Sequence, residues 1–165
     1  MKSAAEARFR VQAPNSTPRA IKVIALDAAG EDVVRRLAGT GWKHATFFTA
    51  LSRGDPGGRG DLAPASADDA LSDLAGDVRS IADEVETADL VVLVAGPGGQ
   101  ARAAPLIGQA CSLRRVMTTA FIVGAASGSE KALSKTLAQV RPWSLMLVIA
   151  DSGDYIEDVM TALRA

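Results

Sequence analysis

Histidine and cysteine are almost missing from this sequence. Its 165 residues hold one of each, His44 and Cys111. A single thiol excludes an intramolecular disulfide and a cysteine-rich zinc site. A single imidazole excludes a histidine-based metal cage. No apolar run reaches the roughly 18 residues that a membrane span needs. The first twenty residues carry charge but no apolar core, so they do not read as a secretory signal. An excess of one charge is missing too: the net charge is −1 and the pI is near 5.8. A generally basic nucleic-acid binder is therefore not expected. What remains is ordinary globular composition, 48% hydrophobic and 22% charged, which excludes wholesale disorder. The expectation is one cytoplasmic domain over 20–165, with no membrane and no nucleic acid among its partners, preceded by a flexible polar tail over 1–19.

Charge is unevenly placed along the chain. Residues 1–60 carry a net +5, residues 61–100 a net −8, and the remainder a net +2. Acidic runs usually solvate one helix face. The alternative is an acidic docking surface.

The apolar pattern alternates between strands and helices. Residues 20–26, 45–50, 88–95, 116–123 and 144–150 read as strands, rich in Val, Ile, Leu and Phe. The run over 88–95 lacks alternation, as a central parallel strand covered on both faces should. Helices are expected over 31–38, after the glycines at 96–99 as far as Leu113, over 129–140 and over 152–163. A further helix is expected from Ser66 to Val85. Ser66 and Asp69 look like its capping box, and Leu71, Leu74, Val78, Ile81 and Val85 form a stripe at helical spacing. Residues 52–65 are dense in Gly and Pro and read as a long surface loop. The predicted architecture is an α/β, three-layer, doubly wound sheet of five mainly parallel strands with helices on both faces, Rossmann-like in type.

In such a sheet ligands bind beyond the carboxyl ends of the strands. The turn Gly96-Pro97-Gly98-Gly99-Gln100-Ala101-Arg102 is the main candidate, with Gly30 after the first strand. Glycines let backbone N–H groups approach an anion, and a following helix presents its positive end. Arg102 could grip an anion or be a surface arginine. The same glycines are also the simplest way to make a tight turn. Asp27, Glu31 and Asp32 could share a divalent cation, but acids at a helix N-terminus explain them more simply. Cys111 reads as a buried apolar position beside Ile107, and His44 as a surface residue. Trp42 and Trp143 read as packing or rim aromatics.

Several segments together resemble a known family. Ile21-Lys22-Val23-Ile24, then Phe47-Phe48, then Ala88-Asp89-Leu90-Val91-Val92 with Ala95-Gly96-Pro97-Gly98-Gly99 and Ala103-Ala104-Pro105, are similar to the N-terminal GTPase domain of FtsZ, the bacterial tubulin homologue. Order and spacing agree from about residue 20 to about residue 156. The resemblance implies a tubulin-type nucleotide-binding domain with GTP or GDP as its cofactor. It also implies Gly30, Gly96, Gly98, Gly99, Gln100 and Arg102 as what is left of the site, with no metal ligand and no catalytic residue.

The departures from that family point to a degenerate site. Its first glycine-rich phosphate loop corresponds here to Asp27-Ala28-Ala29-Gly30-Glu31-Asp32. Carboxylates there repel phosphate, and added Cβ atoms block close backbone approach. The second signature is shorter and lacks threonine. Residues 1–165 hold no counterpart of the family's catalytic loop. The expectation is a non-catalytic, pseudo-GTPase module that acts by protein interaction, with at most weak nucleotide or anion binding at 96–102. Its partners would be an unidentified protein, an FtsZ-like filament, or further copies in a small closed oligomer. The alternatives are a genuine GTP- or GDP-binding protein or slow GTPase that needs a partner, and a flavodoxin-like or receiver-like domain. The receiver reading lacks the expected Asp at the end of the central strand, where Ala95-Gly96 stands.

Overall fold

The computed structural model describes residues 18–50, 70–163 and 165. The loop expected over 52–65 lies outside the described residues, as does most of the tail expected over 1–19. The chain forms β1 (Ile21–Ala25), α1 (Ala28–Ala38), β2 (Ala45–Ala50), β3 (Ala70–Asp73), β4 (Val78–Ser80), α2 (Ile81–Glu86), β5 (Leu90–Ala95), α3 (Ala104–Arg114), β6 (Met117–Val123), α4 (Glu130–Val140), β7 (Met146–Ala150) and α5 (Asp154–Ala162). Two short 3-10 turns, Ala125–Ser127 and Arg141–Trp143, flank α4. No helix among the described residues is long and apolar enough to cross a membrane.

Among the described residues the sheet has seven strands, in the order β4-β3-β2-β1-β5-β6-β7. Strands β2, β1, β5, β6 and β7 are parallel. β3 pairs antiparallel with β2, and β4 antiparallel with β3. The expected five-strand sheet is thus a mixed seven-strand one. Numbered among themselves, the parallel strands run 2-1-3-4-5, and the order reverses between β1 and β5.

Period-two alternation divides the core between the two faces. Ile21, Val23 and Ala25 of β1, with Leu90, Val92 and Val94 of β5, pack under α1 and α5 against Val33, Val34, Leu37, Ile156 and Met160. Ile24, Val91, Leu93 and Ala95 turn the other way and meet Ile81, Val85, Ile107, Cys111 and Val140 of α2, α3 and α4. Every residue of β5 is buried. That burial accounts for its unbroken apolar run, since both of its faces are covered.

The helix expected from Ser66 to Val85 is replaced, among its described residues, by the β3–β4 hairpin and the short α2. Turn chemistry overrides the spacing. Asp73 Oδ1 accepts from the N–H groups of Ala75 and Asp77, each at 2.9 Å, and Gly76 sits at φ +92°. A side chain that bonds its own following backbone favours a turn over a helix. The Asp77 N–H, then the Ala75 N–H and Arg79, hold the Asp73 carboxyl below its ordinary value against an opposing effect of burial. The apolar stripe consequently splits: Leu71 is buried in the sheet, Leu74 and Val78 are exposed, and only Ile81 and Val85 form a buried helical pair. The acidic block therefore does not lie on one helix face; its described members are spread over the hairpin, α2 and Asp89.

Candidate functional site

The loops after β1 and β5 meet where the strand order reverses. This is the place where an open parallel sheet offers a crevice to a ligand. Here the Asp27 carboxylate bridges the two loops.

Asp27 stands at the end of β1 and caps α1. Its Oδ1 accepts from the Gly30 N–H at 2.8 Å, and its Oδ2 accepts from the Gly96 N–H at 2.9 Å. One carboxylate therefore serves one donor in the first turn of α1 and also ties the β1 loop to the β5 loop. A negative group at a helix N-terminus is favoured by the exposed N–H groups and by the helix dipole. A bound phosphate would exploit the same two effects. In this chain the Asp27 side chain is the N-cap that accepts from the Gly30 N–H.

The glycines fit around this carboxylate. A Cβ on Gly99 would lie 2.5 Å from the Asp27 Cγ and closer still to Oδ2. A Cβ on Gly96 would lie 2.6 Å from the Ala29 Cβ. A Cβ on Gly30 would press into the Val94 carbonyl, 2.9 Å from its carbon and nearer to its oxygen. These glycines are explained by contact within the protein, before any ligand is considered.

The N–H groups of Gly98, Gly99 and Ala101 are similarly engaged. Gly98 N–H donates to Thr136 Oγ1 at 3.0 Å and to the Ala132 carbonyl at 3.2 Å, and Gly98 takes φ +78°. Thr136 Oγ1 in turn donates to the Gly96 carbonyl at 3.2 Å. Gly99 N–H donates to the Gly96 carbonyl at 3.4 Å. Ala101 N–H donates to Gln139 Oε1 at 3.3 Å. The side chains of α4 therefore stitch the turn down from above. Pro97 adds an apolar contact, since a Cβ on Gly128 would meet its Cβ at 2.6 Å.

Gly30, Gly96, Gly98 and Gly99 do converge at the strand-order reversal. Gln100 and Arg102 are both exposed beside them. Asp27, Glu31 and Asp32 do not gather. Asp27 faces Gly96, Glu31 pairs with Arg35 one turn on at 2.6 Å, and Asp32 is exposed. Among the described residues no group of three His, Cys, Asp or Glu side chains is placed to share a metal ion. Cys111 is buried in the α3 face of the core, and burial pushes its thiol above its ordinary value, against a smaller opposing bond with Thr118. Such a thiol is inert. His44 is exposed at the start of β2.

Sequence reasoning missed Thr136 and Gln139. Thr136 is fully buried and lies within the apolar run Leu133, Leu137 and Val140. A polar side chain inside a helix's inward stripe needs a partner, and that was the available signal. It indicates that something is bonded without saying what, and the partner is 38 to 40 residues away.

No protein-family model matches the chain, and no curated protein matches it. Among solved structures it is similar to the NMR structure of the apo-form of the flavoprotein from Lactobacillus acidophilus NCFM. The TM-score is 0.51 at 14% identity, over 86% of this chain and 98% of that one. The likeness is one of fold, and the parallel order 2-1-3-4-5 is the flavodoxin-like one. It overturns the resemblance to the FtsZ/tubulin GTPase domain, and with it the tubulin-like and GTP-binding readings. The segments that carried that resemblance are those any doubly wound sheet tends to need: β-branched central strands, and glycines where a loop and a helix approach a strand closely. What the chain shares with the solved structure is an α/β sheet with helices on both faces, in the flavodoxin-like arrangement.

Proposed function

We propose that this chain is a flavodoxin-like domain whose ligand crevice is closed by its own side chains, and that it works through contact with another protein. The observation that carries this reading is the Asp27 carboxylate, with both oxygens committed to the Gly30 and Gly96 N–H groups. A flavin is the group that the fold likeness brings to mind. Its phosphate would need donors at the N-terminus of α1 and room beside the β5 turn. The donor at Gly30 is taken by an anion that is part of the chain. The space beside Gly99 is filled by the same carboxylate. Asp32, exposed just beyond that first turn, adds further negative charge. The residues present do not fit a flavin phosphate.

Flavin binding stands as a second reading, favoured by the likeness to a flavoprotein. The two separate in a titration of FMN with the purified protein, followed by flavin fluorescence and by the melting temperature. A ligand at a hundredfold excess over its Kd stabilises by about 2.7 kcal/mol, so real binding would be visible. The closed-crevice reading expects unchanged fluorescence and an unchanged melting temperature. Saturable quenching with a rise of several degrees establishes the second reading instead.

A further inference from the structure

The two edges of the sheet are built differently. β4, at one edge, has three residues, and its Arg79 pairs with Asp73 at 3.4 Å. A short strand bearing a charge is a guarded edge. β7, at the other edge, is Met146-Leu147-Val148-Ile149-Ala150. It carries no charge, no proline and no glycine, and among the described residues it pairs only with β6. Leu145 is 78% exposed, Met146 47% and Ile149 48%, with Met117 and Tyr155 also exposed nearby. A strand of this kind is a template for another strand.

We propose that the β7 edge pairs antiparallel with the β7 edge of a second copy, joining two sheets into one across a two-fold axis at Val148. Backbone alternation supports the geometry. The Leu145 N–H donates to the Thr118 carbonyl of β6 at 2.8 Å. Thr118, Ala120 and Ile122 face β7, and the register Thr119↔Met146 and Ala120↔Leu147 then directs the backbone groups of 146, 148 and 150 toward β6 and those of 147 and 149 outward. Centred on Val148, an antiparallel partner sets Val148 against Val148, and Met146 against Ala150 twice. These are non-bonded pairs, and Leu147 against Ile149, also met twice, is the bonded pair that exchanges both hydrogen bonds.

The side chains match in the same register. Leu147 falls opposite Ile149 of the other copy, apolar against apolar on one face. On the other face a large Met146 meets a small Ala150, and Tyr155, packed on Phe121 at 6.3 Å between ring centres, flanks the seam. Charge selects the antiparallel sense. Arg141 is exposed ahead of β7, and Asp151 and Asp154 are exposed after it. Antiparallel pairing brings the basic end of each copy toward the acidic end of the other, whereas parallel pairing sets like charges together. An isologous contact of this kind closes at two copies. It rests on β7 alone, so it stands or falls separately from the closed crevice.

The test is sedimentation of the 165-residue chain over a concentration series, with Ile149→Lys and Met146→Lys as variants and circular dichroism as the check on folding. The wild-type protein is expected to be a dimer, and each lysine to raise its dissociation constant by roughly tenfold or more. A wild-type protein that stays monomeric overturns the proposal. So does a dimer that both folded variants leave unchanged. Hydrogen exchange of the wild-type protein decides the matter without any variant. Protection of the Leu147 and Ile149 amides that rises with protein concentration supports the pairing. Fast exchange at those amides overturns it, and so does protection independent of concentration, which assigns the edge to a segment of the same chain.

Discussion

Replacing Asp27 by alanine should cost about 3 kcal/mol of folding stability, measured by urea unfolding. Loss of an N-cap alone costs about 0.5–2 kcal/mol. Asp27 does more than cap, because its second oxygen serves Gly96, 69 residues away. Its removal leaves two part-buried N–H groups without their acceptor, at about 1–3 kcal/mol for each one left unsatisfied. Asp27→Asn keeps one oxygen and sets an NH2 group against the other N–H. Its cost should lie between the wild-type protein and the alanine variant. Equal stability for all three would mean that the carboxylate does not tie the loops together.

Gly30→Ala should be destabilising by about 2–3 kcal/mol, although alanine normally strengthens a helix. An alanine inside a helix is worth about 0.5–1 kcal/mol more than glycine. Here the sign is reversed by packing. The new methyl would enter the Val94 carbonyl, and that carbonyl is held by the Leu26 N–H at 2.9 Å. It is backbone in the central strand, so it cannot move aside as a flexible side chain would. α1 would have to lift from β5, loosening the contact of Val33 and Val34 with the sheet. Chemical denaturation of the variant gives the sign directly, and a stabilised Gly30→Ala protein would refute the packing argument.

These two residues also mark how far the sequence could be read. The parallel core was legible because β-branched runs such as Leu90–Ala95 leave few alternatives once both faces are covered. The pairing of β3 with β2 was not. The spacing from Leu71 to Val85 suits a helix, and only the bonds from Asp73 to the backbone ahead of it, with Gly76 at positive φ, show that the chain turns back. Short-range periodicity does not register one side chain that competes for backbone donors.

The candidate site was legible in position and not in content. Gly96, Gly98 and Gly99 fall at the strand-order reversal, as a parallel sheet leads one to expect. What fills that place is Asp27, which the sequence presents as one acid of three, and Thr136, which it presents as a blemish in an apolar stripe. Their partners are 69, 38 and 40 residues distant, and no local pattern carries such a pairing. The glycines pointed equally to a cradle for phosphate and to a close fit within the protein. Only the position of the carboxylate separates the two.

The central claim is that Asp27 stands where a ligand's phosphate would otherwise sit, and residue-level NMR tests it most directly. Amide cross-peaks of Gly30 and Gly96 should be followed while FMN is added to the wild-type protein. Both amides donate to Asp27, so a phosphate entering the crevice must displace the carboxylate from them. The account predicts that both cross-peaks stay in place up to millimolar ligand. Saturable shifts of the two together, following one binding curve, would contradict it.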